Sequence, residues 1–296
     1  MAVQTGTRYR DPATLEEALS LLADLGPEAT VLAGGQDLVR AMNLGDVQPS
    51  NIVDISGLDE LREINRTDNS IQIGALVTHE ALAQSSVITE GCSLLTDAKE
   101  MIGGGQQIHN RGTIGGALCA AEPVYDYPAC LVALEATLVA ESADGSREIP
   151  ATEFFTGASE TALRPEELLT GIVVPELDPA VGTSYEKLKY TEGCYTIASA
   201  AALVTVSDGT LTEATLALGG IEDKPRRLTA VESLVAGEQL SSELRKAVSE
   251  AASDAVERPR SDAHADGEYR RSMAGVMTKR ALSAAVTNSG STEETQ

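Results

Sequence analysis

The stretch from Asn110 to Pro123 most constrains how this chain can fold, because it carries very little side-chain bulk. It reads Asn-Arg-Gly-Thr-Ile-Gly-Gly-Ala-Leu-Cys-Ala-Ala-Glu-Pro. Glycine tolerates positive φ and lets the backbone approach another group closely, so such a run is typical of a loop that wraps an extended ligand with its own N–H groups. The sequence therefore predicts a Gly-rich ligand loop in this stretch.

A second, shorter Gly-Gly turn lies upstream, where an apolar run enters Gly34-Gly35 and polar residues follow. We predict a strand over Ala29–Ala33 and a helix from Leu38 to Met42. A strand, a Gly-rich turn and a helix start form a known anion-binding arrangement. Two such loops could hold a diphosphate from both sides. Each turn alone is a weak signal, and the alternative is two tight turns in an ordinary α/β protein.

The charge balance excludes one class of partner. The chain has 45 acidic and 22 basic residues among 296, a formal net charge of −23. This sign argues against nucleic acid, whose phosphates attract basic proteins. The acidic residues are spread along the chain, which is typical of a protein that stays soluble in concentrated salt, where screening removes the self-repulsion. We therefore predict a halophilic source, with an acidic interaction surface as the alternative.

Other features bear on location and metal binding. No run approaches the ~18 apolar residues of a membrane span, and the first residues lack the basic and apolar regions of a secretory signal. We therefore expect a cytoplasmic protein. The four cysteines have no C-x-x-C spacing and the three histidines are scattered, so we expect neither a zinc nor an iron–sulfur site in this chain. Cys119 is expected to be a small buried thiol rather than a catalytic one.

The pattern of apolar segments predicts an α+β protein with two domains and a polar connection at 178–182. We place the first domain at residues 1–178, with subdomains at about 1–56 and 57–178, and the second at 183–286. In the second domain three antiparallel strands are followed by helices, which suits an α+β layer. The strands are predicted at Ser184–Leu188, Ser199–Val206 and Thr210–Leu218. Residues 287–296 are Ser/Thr/Glu-rich and are predicted to be disordered.

With both Gly-Gly turns placed, the sequence resembles the FAD-binding (medium) subunit of the molybdenum hydroxylase family, which includes xanthine dehydrogenase, carbon monoxide dehydrogenase and aldehyde oxidoreductase. The resemblance covers residues 7–285. It implies a two-part FAD-binding domain of the PCMH type with two Gly-rich loops, followed by a flavoprotein C-terminal domain. The motifs that carry it are Ala33-Gly34-Gly35-Gln36-Asp37-Leu38, Ile73-Gly74-Ala75-Leu76-Val77-Thr78-His79, Asn110-Arg111-Gly112-Thr113-Ile114-Gly115-Gly116, Glu122-Pro123-Val124-Tyr125-Asp126-Tyr127-Pro128-Ala129, and Phe154-Phe155-Thr156-Gly157 with Pro165-Glu166-Glu167-Leu168-Leu169.

The resemblance also implies a set of residues around one non-covalent FAD. Residues 31–38 and 113–117 match the loops that hold the diphosphate. Asp126 matches an aspartate that binds the ribityl hydroxyls, with helix capping as its alternative role. Leu169 and Lys187 match positions along the flavin, although Lys187 could also be a solvated surface lysine. The complete predicted set is Val31, Leu32, Ala33, Gly34, Gly35, Gln36, Asp37, Leu38, Thr78, Gly103, Asn110, Thr113, Ile114, Gly115, Gly116, Ala117, Ala120, Asp126, Leu169 and Lys187.

Several positions depart from the family pattern. Asp37 stands where many relatives have Ser, and a carboxylate near a diphosphate is unfavourable unless it points away or binds a hydroxyl. Ala117 replaces an Asn or Ser, and Gly103 an aromatic residue or His. The Lys-x-x-Arg-Arg pattern reads Lys-Leu-Lys-Tyr-Thr at 187–191. What these changes do to flavin affinity and redox tuning is left open by the sequence.

The family's chemistry implies the function of the chain. In the family, substrate is hydroxylated at a molybdenum cofactor on another chain, and electrons pass through iron–sulfur clusters to this FAD, which delivers them to NAD or a quinone. We therefore expect an electron-transfer subunit with no catalytic residue of its own, bound to an iron–sulfur subunit and a molybdopterin subunit. The alternatives are a stand-alone FAD-dependent oxidoreductase and a non-catalytic nucleotide-binding protein. The substrate, the electron acceptor and the stoichiometry are not set by this sequence.

Overall fold

The computed structural model describes residues 6–290, and its first part is a small parallel sheet. The central strand of this sheet pairs in parallel with a strand on each side. Thr14 caps the first helix, because its side chain accepts the N–H of Glu17 at 3.2 Å. The elements are β1 (Arg8–Arg10), α1 (Leu15–Leu25), β2 (Ala29–Leu32), α2 (Leu38–Leu44) and β3 (Asn51–Asp54).

The middle part is a five-stranded antiparallel sheet packed against short helices. Its strands run in the order β4-β5-β10-β6-β7, so β10 is the central strand and pairs with β5 on one side and β6 on the other. The elements are β4 (Ile64–Arg66), β5 (Ser70–Gly74), α3 (His79–Gln84), α4 (Ser86–Gly91), α5 (Ser93–Met101), α6 (Gly105–Arg111), α7 (Ile114–Ala120), α8 (Tyr127–Ala133), β6 (Thr137–Ser142), β7 (Gly145–Pro150), α9 (Ala151–Phe154), β8 (Phe155–Gly157), β9 (Glu160–Thr161) and β10 (Leu168–Pro175).

The last part is an antiparallel sheet covered by helices. The three predicted strands are present, and a two-residue fourth strand extends the sheet beside the third. The buried Arg270 secures the last helix, because its guanidinium donates to the Gly220 carbonyl at 2.6 Å and to Asp262 at 2.5 Å. The elements are β11 (Gly182–Lys189), β12 (Thr196–Ser207), β13 (Thr210–Gly219), β14 (Arg226–Arg227), α10 (Thr229–Val235), α11 (Ser242–Asp254) and α12 (Gly267–Asn288).

Two sequence predictions about order need correction. The expected disorder from residue 287 is wrong for 287–290, because α12 continues to Asn288 and the amide of Asn288 donates to the Thr183 carbonyl at 2.9 Å. Residues 291–296 lie outside the described residues. The stretch from Asn110 to Pro123 is also not an open loop, since it contains the end of α6 and all of α7. Thr113 caps α7 by accepting the N–H of Gly116 at 3.1 Å, and this cap allows a helix in spite of the glycines.

No helix within residues 6–290 combines the length and the apolar character needed to cross a membrane.

Candidate functional site

A cleft of about 580 Å³ lies where the three parts of the chain meet. Its walls come from the turn between β2 and α2, from the α6–α7 region, from the start of β10, and from β11 with the loop that follows it. All of the predicted cofactor-binding residues line this cleft except Thr78, Asn110 and Ile114. The structure thus brings together residues that lie as far apart in sequence as Val31 and Lys187.

The three exceptions have other roles. Thr78 caps α3 by accepting the N–H of Ala81 at 3.1 Å. Asn110 is exposed, and its side chain accepts a hydrogen bond from Gln106 at 2.8 Å. Ile114 is fully buried in the hydrophobic core. The structure therefore does not place these three side chains on the cleft wall.

The turn between β2 and α2 offers unbonded donors to the cleft. Gly35 has a φ of +72°, a conformation that favours glycine. A Cβ on Gly34 would overlap the carbonyl oxygen of Arg111, so this glycine permits close contact with the end of α6. Among the described residues, the N–H groups of positions 34–37 have no protein acceptor. This turn can therefore present several backbone donors to an anion.

The glycines of α7 line the cleft, but their N–H groups already have acceptors within the protein. The N–H of Gly115 donates to the Ala75 carbonyl at 2.9 Å, and that of Gly116 donates to the Thr113 hydroxyl at 3.1 Å. A Cβ on Gly115 would lie 2.6 Å from the Cβ of Ala75. These amides are therefore already used within the protein, and Gly115 is needed for close packing of α7.

Asp37 is held by a tyrosine that the sequence prediction missed. The Tyr125 hydroxyl donates to Asp37 Oδ1 at 2.6 Å. Burial, reinforced by this carboxylate, raises the pKa of Tyr125 above its usual range, so the phenol keeps its proton. Tyr125 also stacks on Tyr195 with ring centroids 6.0 Å apart, and both rings line the cleft. Asp37 therefore does bind a hydroxyl, but one that the protein itself supplies. The family motif contains Tyr125, whereas no sequence signal pointed to Tyr195.

Asp126 and Lys187 form a buried ion pair on the cleft wall. Their side chains are 6% and 1% exposed, and Nζ lies 3.0 Å from Asp126 Oδ2. Asp126 Oδ1 accepts from the hydroxyls of Tyr185 at 2.7 Å and Thr196 at 3.0 Å. Burial raises the pKa of the Asp126 carboxyl, and Lys187 and the two hydroxyls oppose this rise. The alternatives of a helix cap and a solvated surface lysine are therefore wrong.

This cluster also connects the parts of the chain. Asp126 precedes α8, Lys187 belongs to β11, and Nζ of Lys187 also donates to the carbonyl of Met101 at the end of α5, at 2.8 Å. One buried ammonium thus holds three segments of the cleft wall in register.

Three further polar residues line the cleft without having been predicted, namely His79, Tyr127 and Glu167. Arg147, which lies outside the cleft wall, holds Glu167 through two hydrogen bonds of 2.7 and 2.8 Å and thereby lowers the pKa of that carboxyl. Burial lowers the pKa of His79 to about 4, so the imidazole is neutral at physiological pH. His79 Nδ1 and the Tyr127 hydroxyl are buried and have no hydrogen-bond partner in the described structure. Both groups belong to residues that line the cleft, but these two atoms are themselves buried.

Cys119 lies on the same wall and is exposed, so the prediction of a buried thiol is wrong. Within residues 6–290, no group of three or more histidine, cysteine or acidic side chains is placed to hold a metal ion.

Comparison with known families covers nearly the whole chain. Residues 4–177 match the FAD-binding domain in molybdopterin dehydrogenase, and residues 183–285 match the CO dehydrogenase flavoprotein C-terminal domain. The chain is 35% identical over 277 residues to the carbon monoxide dehydrogenase medium chain of Hydrogenophaga pseudoflava, an alignment that covers 94% of this chain and 96% of the relative. It is 36% identical over 269 residues to the glyceraldehyde dehydrogenase medium chain of Sulfolobus acidocaldarius, covering 91% and 94%.

Solved structures show the same similarity in three dimensions. A structure of carbon monoxide dehydrogenase from Hydrogenophaga pseudoflava, lacking the Mo-pyranopterin moiety of its molybdenum cofactor, matches with a TM-score of 0.92 at 35% identity, over 96% of this chain and 98% of that one. The quinoline 2-oxidoreductase of Pseudomonas putida 86 matches with a TM-score of 0.89 at 30% identity, over 95% and 98%. The predicted fold class is confirmed by these matches.

Proposed function

The chain belongs to the family of FAD-binding medium subunits of the molybdenum hydroxylases, and we propose that it passes electrons from iron–sulfur clusters on a partner subunit to an external acceptor such as NAD or a quinone. Its relatives are FAD-binding subunits of oxidoreductase complexes. The observation that carries the proposal is the cleft, which joins unbonded backbone donors at one turn to a buried polar cluster contributed by distant segments.

The residues of the cleft fit FAD. Its volume of about 580 Å³ lies within the range of ligand sites, roughly 300–1,000 Å³. The N–H groups at 34–37 would hold the diphosphate, because they have no acceptor among the described residues and belong to the turn that lines the cleft. Asp126 would accept from ribityl hydroxyls through lone pairs that remain beside its three protein donors. The apolar wall at Leu169 would face the ring.

FAD supplies the redox chemistry in such a site, since it takes up and releases electrons, and the protein supplies binding and electrostatics. Here Asp126 and the Met101 carbonyl hold the Lys187 ammonium by hydrogen bonds. The side chain therefore keeps one orientation on the cleft wall and does not have to be ordered when a ligand binds. A fixed cation stabilises negative charge that develops beside it in a poorly solvated site. We propose that residues 1–178 and 183–286 form the two domains that meet at this wall.

The partners follow from what the relatives are. One relative, from Paenarthrobacter nicotinovorans, is subunit alpha of the 6-hydroxypseudooxynicotine dehydrogenase complex, and several others are medium chains. We propose that this chain assembles with an iron–sulfur subunit and a molybdopterin subunit, and that the substrate is oxidised on the latter.

Anaerobic reduction of the purified, FAD-loaded chain tests this proposal. The chain alone should keep its flavin absorbance when it is mixed with aldehydes, purines, nicotinate or carbon monoxide. It should bleach with NADH or an artificial donor, because reduction of the ring requires only access to it. Bleaching by one of the four substrate classes without partner chains would instead support a stand-alone oxidoreductase. Failure to bind FAD at all would support a non-catalytic nucleotide-binding protein.

A further inference from the structure

The protein itself neutralises most of the charged side chains on the cleft wall. Lys187 pairs with Asp126 at 3.0 Å. Glu167 pairs at 2.7 Å with an arginine that lies outside the wall. In the described part of the chain, Asp37 and Arg40 are the charged residues of the wall that have no ion-pair partner within 4.0 Å. An ionic ligand in the cleft would therefore meet these two free charges.

Arg40 is the cation of this wall that remains available to a ligand. It is exposed, lies in the first turn of α2 and lines the cleft. Among residues 6–290 its guanidinium has no hydrogen-bond acceptor, so all of its N–H donors are free. Lys187 is the other basic side chain with a lasting charge on the wall, and its ammonium is already held by Asp126 and the Met101 carbonyl. An anion in the cleft would therefore recruit Arg40.

Asp37 makes a counter-charge necessary on this part of the wall. Its N–H belongs to the turn at 34–37, whose amides have no acceptor among the described residues, so its carboxylate lies near any phosphate held there. The Tyr125 hydroxyl donates to Asp37 Oδ1 at 2.6 Å but brings no positive charge. A diphosphate beside a carboxylate is unfavourable unless a cation compensates the repulsion.

We propose that Arg40 is a specificity residue that neutralises the FAD diphosphate and offsets the charge of Asp37. This inference rests on the proposed function and adds a side chain outside the motif at 33–38. Asp37 has helical dihedral angles, φ −96° and ψ −55°, and its carbonyl accepts the N–H of Ala41 at 2.9 Å. Residues 37 and 40 are therefore neighbours at helical i, i+3 spacing. A guanidinium suits this task, because its planar fork donates two parallel N–H bonds to a phosphate.

The test compares ligands that carry a diphosphate with one that lacks it. The affinities of the FAD-free chain for FAD, ADP and riboflavin are measured by titration calorimetry at low ionic strength. We expect Arg40→Gln to weaken the binding of FAD and of ADP about tenfold, because an ionic contact to phosphate is lost. The binding of riboflavin, which has no phosphate, should not change. Asp37→Asn keeps an oxygen that accepts from Tyr125, and it should restore much of the FAD affinity in the Arg40→Gln background.

Arg280→Gln provides the matched control, since Arg280 is exposed on α12 and does not line the cleft. The FAD affinity of this variant should remain within about twofold of the wild type. Wild-type chain that binds no FAD would overturn the proposed function, and the inference with it. Normal wild-type binding together with the same FAD affinity in Arg40→Gln would overturn the inference alone. An equal loss of riboflavin affinity in Arg40→Gln would also overturn it, because the substitution would then have disturbed the cleft and not a phosphate contact.

Discussion

Replacing Lys187 by Met tests the buried ion pair, because the substitution keeps the length of the side chain and removes its charge. Asp126 would retain the Tyr185 and Thr196 hydroxyls but lose the ammonium at 3.0 Å. Both members of the pair are nearly inaccessible to water, at 1% and 6% exposure. Removing one partner of such a pair costs about 3–5 kcal/mol, since the remaining charge is buried and uncompensated.

The loss of folding stability in Lys187→Met should depend on pH, and its direction follows from the pKa of Asp126. Burial raises the pKa of this carboxyl, and loss of Lys187 raises it further. A carboxyl with a raised folded-state pKa binds protons more tightly in the folded protein, so its effect on stability becomes more favourable as the pH falls. The deficit of Lys187→Met should be full above the folded-state pKa of Asp126. It should shrink as the pH falls toward the unfolded value of about 3.9.

Urea unfolding of the FAD-free chain at several pH values measures this, with Asp126→Asn in the Lys187→Met background as the matched control. The neutral amide removes the stranded charge, so the double variant should recover most of the loss at neutral pH and show little dependence on pH. A loss below about 1 kcal/mol for Lys187→Met would refute the reasoning. So would a loss that Asp126→Asn does not relieve.

Three further predictions concern the cleft and the surface. Gly35→Val should abolish FAD binding and largely spare folding, because it disturbs a turn with φ of +72°. Gly115→Val should instead lower the melting temperature, because the valine side chain would collide with Ala75. Equal effects of the two variants on melting temperature and on FAD binding would contradict this distinction. FAD should be released into the supernatant by acid or heat, whereas yellow colour retained by the precipitate would show a covalent link. The melting temperature should rise with KCl concentration, because screening reduces repulsion in a chain of net charge −23, and a flat or falling response would argue against adaptation to high salt.

Much of the local structure could be predicted from the sequence. The strand predicted at residues 29–33 and the helix predicted to begin at Leu38 depend on residues close together in the chain, and both are confirmed. The predicted Gly-Gly turn at 34–35 is also confirmed, because Gly35 has a positive φ, a conformation that favours glycine.

The character of the stretch from Asn110 to Pro123 could not be predicted in the same way. Its small residues are compatible with an open ligand loop and with a helix that packs closely. The Ala75 carbonyl and the Val77 carbonyl accept the first amides of α7, at 2.9 Å each. These acceptors come from the segment after β5, so tertiary contacts selected the helix.

The sequence by itself determined the turns, the caps and the motifs, since each depends on residues within a few positions of one another. Tertiary structure alone decided what the charged and polar side chains of the cleft do. Asp37 meets Tyr125 across 88 positions of sequence, and Asp126 meets Lys187 across 61. Burial and hydrogen-bond partners set the charge state and orientation of such groups. Both arise only when distant segments pack together, so no local pattern can encode them.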